Sequence, residues 1–176
     1  MLTPTDTIRG LSCDATSEEA VEKIYEIKQR PKEKSMIVLM ENEEMLAAYG
    51  VALTQEQRTF LTSASKPTTI IFPGIQGLAP SAYYTDGTVG IRIVKPDSNH
   101  PGSLFIHSLL QAFGKPLVST SANLSGQPSP LLPTEISADI IDSVDYPVPF
   151  SVSDLPGQPS QIIRFASGDV IDIIRA

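Results

Sequence analysis

One segment constrains the fold of this chain more than any other: Lys115-Pro116-Leu117-Val118-Ser119-Thr120-Ser121-Ala122-Asn123-Leu124-Ser125-Gly126. An apolar, β-branched run turns abruptly into hydroxyls, an amide and a glycine. That is the pattern of a buried strand whose end opens into a polar site. Ligands of α/β proteins sit at the carboxyl ends of strands, so the segment marks a polar ligand. Three companions sharpen it: Pro4-Thr5-Asp6-Thr7, Lys28-Gln29-Arg30-Pro31 and Thr88-Val89-Gly90-Ile91-Arg92. Together they bring cations and hydroxyls from separate places in the chain, which suits an anionic, phosphorylated ligand.

Thr16-Ser17-Glu18-Glu19 reads as a capping box with Thr16 as N-cap and Glu19 returning to its N–H. Ala20, Val21, Ile24 and Ile27 follow at helical spacing, and Pro31 ends the helix. Ser35 to Met40 reads as a buried strand, Asn42 to Tyr49 and Thr54 to Ser63 as helices, and Thr68 to Phe72 as a β-branched strand. Gly74 to Gly87 is a loop, Thr88 to Val94 a strand, and Pro101 to Phe113 a helix stopped by Gly114 and Pro116. Leu117 to Ser121 is the strand of the opening segment, Ser125 to Pro133 a lid-like loop, and Thr134 to Ile141 a short helix. Ser160 to Phe165 and Val170 to Ile174 pair as a hairpin across Ala166-Ser167-Gly168-Asp169. Strands alternating with helices give an α/β class with a mixed sheet.

A chain of 176 residues makes one domain with a sizeable core, and its 41% hydrophobic content is that of a globular protein. No apolar run is long enough to span a membrane, and the first residues lack the pattern of a secretory signal. The single cysteine, Cys13, excludes an internal disulfide and a cysteine-rich metal site. These features read as a cytoplasmic protein. A net charge of −7 argues against a surface coated for gripping nucleic acid, while leaving 13 Lys and Arg residues free to converge on one cleft. His100, just before a helix, and His107, on it, lack zinc-site spacing. Neither a P-loop nor G-x-G-x-x-G occurs.

Pro4-Thr5-Asp6-Thr7 with Gly10-Leu11, Lys28-Gln29-Arg30-Pro31, Pro67-Thr68-Thr69, Val89-Gly90-Ile91-Arg92 and Ser119 to Gly126 stand in the order seen in the YrdC/Sua5 family, with Ser160 and Arg175 closing the set. Nearly the whole chain resembles the short, single-domain bacterial form of that family. The resemblance implies an open, twisted mixed sheet with flanking helices around a central cavity. It implies one YrdC-like domain over residues 1–176, lacking the usual N-terminal helix and strand ahead of Pro4; either the start is truncated, which would leave an exposed sheet edge, or a replaced element completes the sheet. It also implies a nucleotidyltransferase, a threonylcarbamoyl-AMP synthase. L-threonine, bicarbonate or CO2 and ATP would give threonylcarbamoyl-adenylate and pyrophosphate. A separate transferase complex would then use the adenylate for t6A at position 37 of tRNA. Magnesium would arrive with ATP, held by phosphates and water rather than by a dedicated protein site.

By the same resemblance, Thr7, Ser121 and Ser160 contact threonine and Arg92 clamps its carboxylate. Lys28 and Arg30 face the ATP phosphates, Thr88 and Asn123 touch the nucleotide, and Arg175 reaches ATP. Lys28, Arg30 and Arg92 carry the catalytic role. Plainer readings stand beside these. Lys28 and Arg30 also suit a helix C-terminus, Thr7 a turn, and Asp6 a local cap. Arg92, in an otherwise buried strand, needs a partner; an acidic side chain would serve, and the substrate carboxylate is favoured. Ser119, Ser121 and Asn123 alternate, so all would face one way if the strand continued. The chain departs from common family usage at Arg9, Ser12, Leu39 and Leu131. The alternative functions are a non-catalytic tRNA- or RNA-binding module, with weak tRNA contact, an inactive truncated paralogue, and a carbamoyl-adenylate enzyme of hydrogenase maturation, whose acylphosphatase and zinc-finger regions this sequence does not carry. An aromatic content of 6% weighs against the RNA reader, which uses stacking rings.

Overall fold

Short β-branched runs and amphipathic stretches assemble into one open mixed sheet with helices against it. The computed structural model describes residues 1–34, 36–149, 158–165 and 171–175. The strands are β1 (Leu2–Thr3), β2 (Gly10–Asp14), β3 (Ile37–Met40), β4 (Thr68–Phe72), β5 (Val89–Ile93), β6 (Leu117–Ser121), β7 (Gln161–Phe165) and β8 (Ile171–Arg175). The helices are α1 (Glu18–Lys28), α2 (Glu43–Ala48), α3 (Gln55–Ser63), α4 (Pro101–Phe113) and α5 (Ala138–Ser143). The spatial order is β1-β2-β6-β3-β5-β4-β7-β8. The β3/β5 and β4/β7 pairs are parallel and the remaining pairs antiparallel.

Each face of the sheet carries its own apolar cluster. On one, Leu11, Val38, Met40, Ile70, Ile91 and Val118 pack with Val21 and Ile24 of α1. On the other, Leu39, Val94 and Leu117 pack with Ile106 and Leu110 of α4. Side chains alternate along a strand. The α4 face therefore continues along β6 from Leu117 to Ser119 and Ser121, where it turns polar. The register aligns Ser12, Ser119, Ile37, Gly90 and Ile71 across five neighbouring strands. Ser119 and Ile37 of that row line a polar cavity.

Of the two alternatives for the N-terminal edge of the sheet, the described residues show a short strand alongside β2. β1 pairs with β2, and Leu2 also exchanges backbone hydrogen bonds with the 146–148 segment: its N–H donates to Tyr146 O at 2.9 Å and its carbonyl accepts from Val148 N–H at 2.9 Å. The α1 cap lies one residue later than the capping-box pattern places it. Asp14 Oδ1 accepts from Thr16 N–H at 2.8 Å and from Thr16 Oγ1 at 2.6 Å, so the Thr16 hydroxyl is spent and Ser17 Oγ caps Ala20 N–H. The short helix expected over 134–141 is a 3-10 turn at Pro133–Glu135 followed by α5. The proposed hairpin turn at 166–169 and the strand starts at Ser35 and Val170 lie outside the described residues, while β7 and β8 do pair antiparallel.

Candidate active site

The end of α1 is shaped by a left-handed residue. Gln29 adopts φ 48°, its N–H bonding back to Glu26 O and Tyr25 O, and Arg30 N–H reaches Tyr25 O at 3.0 Å. This turn sends Lys28 and Arg30 in different directions. Arg30 lies on the wall of a cavity of about 230 Å³ on the polar part of the sheet. Thr7, Arg92, Ser121, Ser160 and Arg175 share that wall. They come from the 4–8 loop, β5, the end of β6, the residue before β7, and β8. Three arginines thus converge on a space floored by hydroxyls, an arrangement built for an anion. Burial pulls Arg30 below its ordinary value; at Arg175, burial and then the neighbouring Arg92 do the same.

Arg92 is 2% exposed, and its Nη2 donates to Asp6 Oδ1 at 2.8 Å. Its Nε–H is buried and has no hydrogen-bond partner among the described residues. The protein partner considered at the sequence level therefore exists, and a donor remains beside it. Thr7 Oγ1 lies 3.0 Å from Thr5 Oγ1, which also accepts from Thr7 N–H and donates to Ile8 O. Ser160 Oγ lies 2.9 Å from Thr69 Oγ1. Arg175 donates to Ser160 O from Nε at 3.0 Å and Nη2 at 2.7 Å.

The other expected residues stand off the cavity wall. Lys28 is 1% exposed, and its Nζ donates to the carbonyls of Ser121 and Asn123, underneath the loop that follows β6. The strand ends at Ser121, so Asn123 does not continue the alternation. Its Nδ2 donates to Leu124 O and Gln127 O, and its Oδ1 is buried without a hydrogen-bond partner among the described residues. Thr88 Oγ1 donates to Asp86 Oδ1 at 2.6 Å. Leu39 lies in the α4 cluster, and Leu131 is 57% exposed. Ser129 on the cavity wall brings the 125–133 loop to the site.

Residue-by-residue reading missed Gly10, Met36, Ile37 and Tyr84 on the wall. Gly10 stood in a quoted motif; the other three carry no local signal of their place. Among the described residues no group of three His, Cys, Asp or Glu could hold a metal, and no helix is long and apolar enough to cross a membrane.

Comparison with known proteins agrees with this architecture. The chain is 34% identical over 171 residues to threonylcarbamoyl-AMP synthase of Enterobacter sp. (strain 638), covering 94% of this chain and 84% of that protein. Its fold matches P. abyssi Sua5 complexed with L-threonine at a TM-score of 0.81 and 23% identity, over 99% of this chain and 49% of that one. It matches E. coli YciO at 0.78 and 23% identity, over 99% and 81% of the two chains. A family model described as "Sua5_yciO_yrdC: Telomere recombination" matches residues 1–176, and the chain belongs to the Sua5/YciO/YrdC family.

Proposed function

We propose that this protein is a threonylcarbamoyl-AMP synthase, an enzyme that joins the carbamate of L-threonine to the adenylyl group of ATP. The observation that carries the reading is the convergence of Arg30, Arg92 and Arg175 on one hydroxyl-floored cavity, in a chain 34% identical to a synthase of that name. Bicarbonate or CO2 supplies the carbamate carbon. A carbamate oxygen attacks the α-phosphorus, one O–P bond forms, and the bond to pyrophosphate breaks. Little covalent work falls to the protein: it aligns anions and stabilises charge on the phosphate oxygens. Alignment of two reactants contributes roughly 7–11 kcal/mol, and one well-placed donor about 3 kcal/mol.

Arg92 takes the threonine carboxylate, with Thr7, Ser121 and Ser160 around the rest of the amino acid. Arg30 and Arg175 take the phosphates. Lys28 acts through the Ser121–Asn123 backbone that it holds, and Asn123 and Thr88 shape the loops beside the nucleotide. Magnesium enters on the ATP phosphates, which suits a wall of arginines and hydroxyls better than a resident ion would. The product serves tRNA modification in the cytoplasm, through a separate transferase.

Pyrophosphate release tests this reading. The purified protein receives ATP, bicarbonate and Mg²⁺, with and without L-threonine, beside an Arg92→Ala variant. Threonine-dependent release that drops in the variant at limiting threonine and recovers in part at high threonine is the expected result. No release above background from folded protein overturns it.

A further inference from the structure

We propose that Asp6 is a positioning residue for threonine recognition, holding the Arg92 guanidinium from outside the substrate cavity. The proposal rests on the reading of Arg92 as the partner of the threonine carboxylate. Arg92 lies on the wall of the substrate cavity, and Asp6 does not. Asp6 instead lines a second cavity of about 320 Å³, bounded by Leu61 of α3, Pro67 ahead of β4, Ile93 of β5 and His100 ahead of α4. The ion pair is thus the partition between the two spaces. A carboxylate in front of Arg92 would compete with the substrate for it; one behind it leaves the approach open.

The charge balance fits the same role. Arg92 is 2% exposed and Asp6 11%, so without Asp6 the empty site would hold a buried, uncompensated cation. Asp6 uses Nη2, while the buried Nε–H has no hydrogen-bond partner among the described residues. The guanidinium has several donors in a fixed plane. An anchor at one of them sets the direction in which the others point. The 4–8 loop ties this anchor to the substrate side. Thr5 Oγ1 accepts from Thr7 N–H at 3.1 Å and donates to Ile8 O at 2.7 Å, fixing Asp6 and Thr7 as neighbours. Thr7 faces the substrate cavity and Asp6 the second one. One turn therefore sets both a hydroxyl of the site and the angle of its arginine.

Steady-state kinetics on Asp6→Ala, Asp6→Asn, Arg92→Ala and the double variant Asp6→Ala/Arg92→Ala test the proposal. Asp6→Ala is expected to raise the KM for L-threonine about tenfold or more and to leave that for ATP within about twofold. Asp6→Asn keeps an oxygen for Nη2 and should stay within about threefold of the parent. The double variant should be no worse for threonine than Arg92→Ala, because one route is lost twice. Should Asp6→Ala not fold, Asp6→Glu replaces it; a displaced carboxylate must then cost more threonine affinity than the amide does. Equal changes in both KM values, or additive losses in the double variant, overturn the proposal. An Arg92→Ala variant with unchanged threonine KM overturns the reading of Arg92 and this inference with it. A raised KM in Arg92→Ala but not in Asp6→Ala removes the Asp6 role alone.

Discussion

Lys28, the last residue of α1, donates from Nζ to the carbonyl oxygen of Asn123 at 2.6 Å and also to that of Ser121. Its own carbonyl accepts from Ser125 N–H at 2.8 Å, so both its side chain and its backbone grip the loop after β6. Burial first, and Arg30 second, bring this ammonium down from 10.5 to about 8. Below pH 8 it is protonated folded and unfolded alike, and stability does not depend on its titration. Between pH 8 and 10.5 the unfolded chain binds more protons, so stability rises with pH. Relative to Lys28→Met, the parent protein should gain roughly 3 kcal/mol across that window. Urea unfolding at stepped pH measures the difference, and parallel curves for the two proteins would rule it out.

Gly10 occupies a position that admits no side chain. A Cβ there would stand 2.8 Å from Thr120 O and 3.2 Å from Ser119 Oγ, both on the strand paired with it. Backbone cannot step aside cheaply, so Gly10→Ala must strain the β2/β6 pairing beside the cavity. The expected loss is about 1–3 kcal/mol, read as a drop in thermal midpoint of about 2–4 °C per kcal/mol. An unchanged midpoint would show that β2 can shift away from β6 at no cost.

β4, α4 and β6 run over the same residues in sequence and structure, because each combines a strong apolar pattern with hard punctuation. Pro101, Gly114 and Pro116 bound α4 and the start of β6 so firmly that tertiary packing has little left to decide. β2 escapes a sequence reading because Gly10-Leu11-Ser12-Cys13-Asp14 is a weak strand former by itself; pairing with β6 makes it one. The convergence of the candidate site was legible as residue types, since Thr7, Arg30, Arg92, Ser121, Ser160 and Arg175 share one cavity. Direction was not. A left-handed Gln29 separates Lys28 from Arg30, and the end of β6 at Ser121 turns Asn123 aside. The partner of Arg92 lies in another part of the chain, and no local pattern ties Asp6 to it.

Cys13 sits on β2 beside the main core, and burial pushes its thiol up to about 12. The thiolate is the nucleophile, so the folded protein should resist thiol reagents at pH 8. Reaction with a disulfide reagent should be at least about 100-fold slower than that of the urea-unfolded chain. Rapid, stoichiometric labelling of native protein would show that β2 opens readily from its neighbours β1 and β6.

Arg175 and Ser160 form a fork that Lys cannot copy: Nε and Nη2 of the arginine reach one carbonyl oxygen at 3.0 and 2.7 Å. Nη2 also lies 3.3 Å from Ser160 Oγ, which is itself 2.9 Å from Thr69 Oγ1. A lysine at position 175 would keep the charge and lose the planar grip. Arg175→Lys should therefore raise the KM for ATP about tenfold, with a smaller change for threonine. Ser160→Ala leaves the carbonyl that holds Arg175 and removes the hydroxyl, so it should show the reverse preference. The two variants measured side by side separate charge placement from hydroxyl contact. If both altered the same KM to the same degree, Ser160 and Arg175 would act on one substrate as a single unit, and the division of the cavity between threonine and ATP would have to be redrawn.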